Sequence, residues 1–257
     1  MDQRLLIDRL PLLADRAVAS AFGRELGRAV EYHERIASTQ DRARELASWR
    51  AVVVADEQTA GRGTQGRSWI APPGTALLAS FVDPGPPPNS PVGSIVAGVA
   101  AARALEAAGA RDVRLKWPND VVLAGAKVAG ILTHLLSGHE PALVVGVGIN
   151  VSQRELPAGL RAPATSLALR GVEADRLELL ARLSAELDRA LVAEPATVLD
   201  EWRARSTVLG RRVVVERPGE EPIRGRAHDL SPDGALLVET DYGHARILAG
   251  EVRVEEQ

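Results

Sequence analysis

The chain has 257 residues, 31 Lys and Arg against 34 Asp and Glu, and no cysteine. That balance leaves no basic footprint for binding DNA, and the missing thiols exclude disulfides, thiolate catalysis and cysteine-held zinc. Met1–Arg9 has no long apolar segment, and no stretch approaches the roughly 20 apolar residues of a membrane helix, so a cytoplasmic protein with no membrane partner is expected. Five scattered histidines (His33, His134, His139, His228, His244) show no metal-ligand spacing.

Residues 1–30 read as one or two short helices, with Leu5, Leu6, Leu10, Leu12 and Leu13 on a rough apolar face; this is too short for a winged helix-turn-helix domain. A first strand is expected at Glu31–Ile36. Ser38 or Thr39 then caps a helix running to about Ala47. Ala51–Ala55 predicts a buried strand that delivers Asp56, Glu57 and Gln58 to a loop rich in glycine and arginine. Thr75–Val82 predicts another strand. Pro84–Pro91, with five prolines, reads as a stiff connector. Gly93–Ala108 is Ala-rich and helical, with Gly109 as its stop, and Arg111–Lys116 returns as a strand. Ala142–Ile149 is a continuous apolar run whose Gly146 and Gly148 suit close approach of a ligand or of another part of the chain. Thr165-Ser166-Leu167 is expected to cap a short helix.

Arg176–Leu191 carries Leu177, Leu180, Leu183, Leu187 and Leu191 on one face, a core stripe, and a second helix follows over Ala196–Arg205. The pattern changes near Leu209-Gly210. Short runs at Arg212–Glu216, Ile223–Asp229, Ala235–Thr240 and Ala245–Val254, with turns at Ser231–Gly234 and Asp241–Gly243, predict a small β-barrel. The division expected is residues 1–208 and 209–257.

Two stretches carry chemistry. Lys116–Leu132 has a hairpin's shape, with Val121–Leu123, a turn at Ala124-Gly125-Ala126, and a second apolar run over Lys127–Leu136. The turn brings Lys127 near Asn119 and Asp120, which suits a site for an anion and Mg²⁺; a surface hairpin with a salt bridge would look the same. Gln58–Trp69 packs Gly61, Gly63 and Gly66 among Arg62 and Arg67, so backbone N–H groups and guanidinium groups can meet phosphate or carboxylate. It lacks the Gly-Lys-Ser/Thr ending of a P-loop, and alone it would pass for a mobile surface loop.

Taken in order, Gln-x-x-Gly-Arg-Gly-x-x-Gly-Arg-x-Trp, Lys-Trp-Pro-Asn-Asp, Lys127-Val-Ala-Gly-Ile-Leu and Gly146-Val-Gly-Ile-Asn150 resemble the biotin protein ligase family, from about Ser38 to the C-terminus. The resemblance implies an α+β fold: a central mixed sheet with helices, like class II synthetases, and a small C-terminal barrel of the Src-homology-3 type. It implies MgATP activation of biotin to biotinyl-5′-AMP, then transfer to a lysine of a biotin carboxyl carrier protein. Lys127, Arg62 and Asp120 would be catalytic. Ser38, Thr39, Gln40, Gln58, Arg62, Gly63, Thr64 and Lys127 would hold biotin. Arg62, Arg67, Trp69, Asn119, Asp120 and Asn150 would hold the nucleotide. Many family members have an arginine where this chain has Thr64, so that residue's role is open here. A monomer or weak homodimer is expected, with no DNA partner. Lipoate or octanoyl ligases share the core but not these motifs; a non-catalytic binder or a repressor is disfavoured by Lys127 and by the missing DNA-binding domain.

Overall fold

The computed structural model describes residues 29–46, 50–84, 90–137, 141–157, 159–160 and 162–255. The expected helices before residue 29, and the middle of the proline-rich connector, lie outside these residues.

The first half forms a seven-stranded mixed sheet: β1 (Ala29–Ile36), β2 (Ala51–Gln58), β3 (Ala76–Pro84), β4 (Val113–Lys116), β5 (Asp120–Leu123), β6 (Ala126–Leu136) and β7 (Ala142–Asn150). The spatial order is β1-β2-β3-β7-β6-β5-β4. Only β1 and β2 run parallel, because helix α1 (Thr39–Glu45) crosses between them; the other neighbours are antiparallel. The β5–β6 turn is tight, with Ala124 at φ 47° and Gly125 at φ 82°, the left-handed pair that a two-residue hairpin demands.

One face of the sheet is covered by α2 (Ser90–Ala107), α3 (Arg176–Val192) and α4 (Pro195–Arg205). Helix α2 is Ala-rich because it is enclosed: Ala97, Ala100, Ala101, Ala102 and Ala104 are buried between the sheet and the two outer helices. Leu180, Leu183 and Leu187 of α3 are buried, and Leu177 and Leu191 pack at the edge, so the leucine stripe is core. The opposite face is covered only in part, by α1, over Val53, Val82, Ala142 and Val144. Strand alternation turns Val145, Val147 and Ile149 into the main core, and Gly146 and Gly148 toward that second, half-open face.

Residues 212–254 carry a five-stranded antiparallel sheet of β8 (Arg212–Glu216), β9 (Ile223–Leu230), β10 (Leu236–Thr240), β11 (Gly243–Ile247) and β12 (Glu251–Val254), in the order β11-β10-β9-β8-β12. The run expected as one strand over Ala245–Val254 is two, broken at Leu248–Gly250, where Gly250 takes φ 158°. The break lets β12 leave β11 and pair with β8 instead. The two sheets share one apolar core, which includes Val213, Leu230, Leu236 and Val252. Trp117, fully buried, donates its indole N–H to Gly234 O at 3.1 Å, and Arg203 on α4 binds Asp229 on β9 at 2.7 Å.

Candidate functional site

A cavity of about 530 Å³ opens on the half-covered face, between the main sheet, the Gly-Arg loop and the C-terminal sheet. Its floor is built from β6 and β7, where Gly130 pairs with Gly148 and Leu132 with Gly146. Small residues are needed there. A Cβ on Gly148 would sit 2.6 Å from Trp69 Cε2, and one on Gly146 would sit 2.4 Å from Gln40 Oε1. What approaches these glycines closely is the protein's own side chains. Trp69 lies over Gly130 and Gly148, and its indole N–H is buried without a hydrogen-bond partner among the described residues.

Lys127, Arg62 and Arg67 reach the cavity from two elements, and Lys116 lines it from the end of β4. Lys127, at the start of β6, holds its Nζ 2.5 Å from Asp120 Oδ1 across the hairpin and 5.8 Å from the Trp69 ring centre. Arg62 binds Asp41 at 2.9 Å, and Arg67 reaches Glu251 of the C-terminal sheet at 3.4 Å. The loop is short of regular structure but not shapeless. Gly63 N–H donates to Arg67 O at 2.7 Å, Thr64–Gly66 makes a single 3₁₀ turn, and Trp69 N–H returns to Gly61 O at 2.9 Å. Thr64 anchors Arg67: its carbonyl accepts from Arg67 Nε and its hydroxyl from Arg67 Nη2, each at 3.1 Å.

The other end of the cavity is a chain of neutral hydrogen bonds. Gln58 Oε1 accepts from Thr39 N at 2.8 Å and from Thr39 Oγ1 at 3.0 Å. Thr39 Oγ1 also meets Ser80 Oγ at 2.9 Å, and Ser80 donates to Gln40 Oε1 at 3.0 Å. Gln40 Nε2, with two hydrogens to give, lies within reach of three acceptors: His134 Nδ1 at 3.0 Å and the carbonyls of Leu132 and Val144 at 3.2 and 3.3 Å. Burial lowers the pKa of His134 below the ordinary histidine range; Arg44 and Arg62 add to the shift and Asp41 opposes it.

The cavity therefore gathers Thr39, Gln40, Gln58, Arg62, Gly63, Thr64, Arg67, Trp69, Asn119, Asp120, Lys127 and Asn150, from four separate stretches of the chain. Ser38 stands apart from its lining: the side chain is buried as the N-cap of α1, accepting from Asp41 N at 3.3 Å. Asn119 and Asn150 line the cavity but also hold backbone, Asn119 Nδ2 on Ile131 O at 2.8 Å and Asn150 Nδ2 on Thr165 O at 2.9 Å. Of the three polar residues at the end of β2 only Gln58 reaches the site. Asp56 is taken by Arg176 and by Tyr32, whose hydroxyl donates to it at 2.5 Å, pushing the Tyr32 pKa to about 12, and Glu57 pairs with Arg35. Ser166, expected as a cap, accepts from Leu169 N at 3.0 Å and opens the 3₁₀ turn Ala168–Arg170.

Sequence reasoning missed Ser80, His134 and Glu251. Ser80 had a signal, as the one hydroxyl in an apolar strand, fully buried. Glu251 had none, because it comes from the other sheet.

As a metal site, the cavity lining offers two carboxylates, Asp120, paired with Lys127, and Glu251, paired with Arg67. No group of three or more His, Asp or Glu side chains able to hold a metal occurs among the described residues. That donor set fits Mg²⁺ arriving on a triphosphate, since Mg²⁺ is commonly held by one or two carboxylates plus substrate phosphates.

Residues 30–150 match the Biotin/lipoate A/B protein ligase family, and residues 208–254 match the Biotin protein ligase C terminal domain. The biotin–[acetyl-CoA-carboxylase] ligase of Mycobacterium tuberculosis is 37% identical over 215 residues, which is 78% of this chain and 77% of that protein. The bifunctional ligase/repressor BirA of Escherichia coli is 36% identical over 82% of this chain and 68% of that protein. A structure of biotin protein ligase from Aquifex aeolicus in complex with biotin and ATP matches with a TM-score of 0.73 at 32% identity, over 89% of this chain and 99% of that one. One from Leishmania major in complex with biotinyl-5-AMP matches with a TM-score of 0.60 at 26% identity, over 85% and 98%. With the fold, the two matched regions and these relatives in agreement, the chain belongs to the biotin protein ligase family.

Proposed function

We propose that the cavity carries out both half-reactions of an ATP-dependent biotin ligase. In the first, a biotin carboxylate oxygen attacks the α-phosphorus of ATP and pyrophosphate leaves. In the second, the ε-amine of an acceptor lysine attacks the acyl carbon of biotinyl-5′-AMP, an amide forms and AMP leaves. The acceptor is a biotin carboxyl carrier domain, in keeping with relatives named for acetyl-CoA carboxylase. Lipoate ligation is not favoured, because the C-terminal match and the named relatives are those of biotin ligases.

The observation that carries this reading is the polarity of the cavity. One end, Gln58–Thr39–Ser80–Gln40, is neutral and rich in hydrogen bonds, suited to a ureido group. The other end holds Lys127, Arg62 and Arg67, suited to a carboxylate beside a phosphate. Two anions at about 4 Å repel by roughly 4 kcal/mol at an effective dielectric near 20, so adenylation needs cations at the meeting point. Lys127 offsets the charge on the carboxylate and the transferring phosphate. Arg62, Gly63 and Thr64 close over the ligand. Asn119, Asp120, Arg67 and Asn150 face the nucleotide, and Asp120 would hold Mg²⁺, which supplies further charge neutralisation. Asp120 also accepts a proton from the incoming lysine. Trp69, flat over the glycine floor, keeps water from the adenylate.

In this reading residues 1–208 form the catalytic unit and 209–257 a small β-domain that completes the cavity wall through Glu251. The protein acts in the cytoplasm as a monomer or weak homodimer, without a DNA partner. No helix among the described residues is long and apolar enough to cross a membrane.

The test is biotin-dependent release of pyrophosphate from ATP, followed by transfer of labelled biotin to a carrier domain. Release driven equally by lipoic or octanoic acid, or none with biotin, would sink the reading.

A further inference from the structure

His134 lies on β6 beyond the cavity lining, where its Nδ1 meets the amide of Gln40. That contact has a definite direction. An amide nitrogen can only donate, so His134 Nδ1 must be the bare, accepting nitrogen of a neutral ring. The consequences run along the chain. With Nε2 turned to His134 and to the carbonyls of Leu132 and Val144, Gln40 presents Oε1 to Ser80. Ser80 has one hydrogen and uses it on Gln40, so toward Thr39 it can only accept. The Thr39 hydroxyl hydrogen then serves Ser80 Oγ and Gln58 Oε1, and Gln58 Oε1 is also bound by Thr39 N–H. The Gln58 amide is fixed with its oxygen inward.

A proton on His134 Nδ1 turns the acceptor into a donor facing an NH₂ group. Gln40 cannot answer by flipping, because its oxygen would then face two backbone carbonyls, and it is wedged against Gly146. The charged groups facing His134 are Arg44 and Asp41 on α1 and Arg62 on the Gly-Arg loop; two cations against one anion oppose the proton further.

We propose that His134 is a positioning residue for biotin: the backbone fixes which way the Gln40 and Gln58 amides face, neutral His134 accepts from Gln40 Nε2, and a proton on Nδ1 pushes Gln40 off its seat against Ser80, so that biotin affinity is lost when His134 is protonated. The proposal rests on the reading that Thr39, Gln40 and Gln58 hold biotin. Protonation is resisted in the folded protein, so the neutral ring persists through the ordinary histidine pKa of about 6.5 and the chain fails only at lower pH.

The experiment measures biotin KM and kcat by pyrophosphate release from about pH 5 to pH 8, for the full chain and three variants. In wild type, biotin KM is flat down to about pH 6.5 and rises only as pH falls further. His134→Asn offers Oδ1 where Nδ1 stood, an acceptor that does not titrate, so KM stays low and its rise on the acid side disappears. His134→Leu removes the acceptor, and biotin KM rises about tenfold at every pH, while kcat at saturating biotin stays within about twofold. Coincident pH profiles for wild type and His134→Asn overturn the proposal, even if His134→Leu does not fold. A folded His134→Leu with the wild-type KM also overturns it. Gln58→Ala separates this from the underlying reading: if it leaves biotin KM unchanged, the assignment of the biotin end is itself wrong; if it raises KM while the His134 variants do nothing, only the role of His134 falls.

Discussion

Replacing Lys127 with alanine tests the charge arrangement most directly. The Nζ lies 2.5 Å from Asp120 Oδ1, and the two side chains are 31% and 22% exposed. A pair that open to solvent contributes at most about 1 kcal/mol to folding, so the melting temperature should move little. Catalysis should suffer far more. Removing one preorganised electrostatic stabiliser typically slows a reaction by about 100-fold to 1,000-fold. The variant also leaves the Asp120 carboxylate without its partner, facing an incoming carboxylate and phosphate. Lys127→Ala should therefore fall at the severe end of that range, and the double variant with Asp120→Asn should lose less than the product of the two single losses, because the unpaired carboxylate no longer repels the substrates. The assay is pyrophosphate release at saturating biotin and ATP, with thermal melts of the single and double variants. Near-normal release by Lys127→Ala would refute the role given to the cation. A double variant slower than the product of the two single effects would refute the repulsion argument.

Three further outcomes are expected. Trypsin should cut the apo protein at Arg62 or Arg67 and be slowed by biotin plus ATP, since ordering a residue costs about 1–2 kcal/mol and phosphate contacts can offset it; equal cutting rates would count against coupled ordering. Thr64→Arg adds a cation beside Arg67 and should slow escape of preloaded, labelled biotinyl-AMP by about tenfold, whereas unchanged release would show that position 64 does not govern retention. Gly148→Ala places a methyl 2.6 Å from Trp69 Cε2 and must lift the ring off the floor. A displacement on the order of 1 Å can cost about 100-fold in rate, so pyrophosphate release should drop steeply in a folded protein; a small change would mean the ring's seat does not matter.

Much of this site was legible because its parts obey local rules. The β5–β6 hairpin announces itself by an apolar run on either side of Ala124-Gly125, and the leucine stripe of α3 by its spacing. The Gly-Arg loop and Lys127 could be placed in one site from motif order alone. What stayed hidden depends on contacts between distant segments. Ser38 looks like Thr39 and Gln40 in the sequence, yet helix geometry spends its hydroxyl on a cap. Gly146 and Gly148 signalled close approach without saying of what; the answer is Gln40 and Trp69. The tryptophan of Lys-Trp-Pro-Asn-Asp reads as part of a catalytic motif, but Trp117 also ties the C-terminal sheet in place through Gly234. A lone histidine on a strand carries no signal until a glutamine from another element is seen to point at it. The broken strand after Ala245 was missed because an apolar pattern does not reveal which neighbour a strand pairs with.

Arg62 and Arg67 each rest on a carboxylate, one on Asp41 of α1 and one on Glu251 of the far sheet. The protein thus supplies its own reference anions. An incoming ligand does not meet bare guanidinium groups; it must outbid a carboxylate for each. Chloride and other weakly held anions have too little charge at one point to make that exchange, while a phosphate, with more charge and more acceptor oxygens, can make it at both arginines. Because these pairs are exposed, salt weakens them over a screening length of about 8 Å at physiological ionic strength. The loop's occupancy in a cell is therefore a contest decided against the whole ionic background, and the two acidic side chains set the threshold a ligand has to pass.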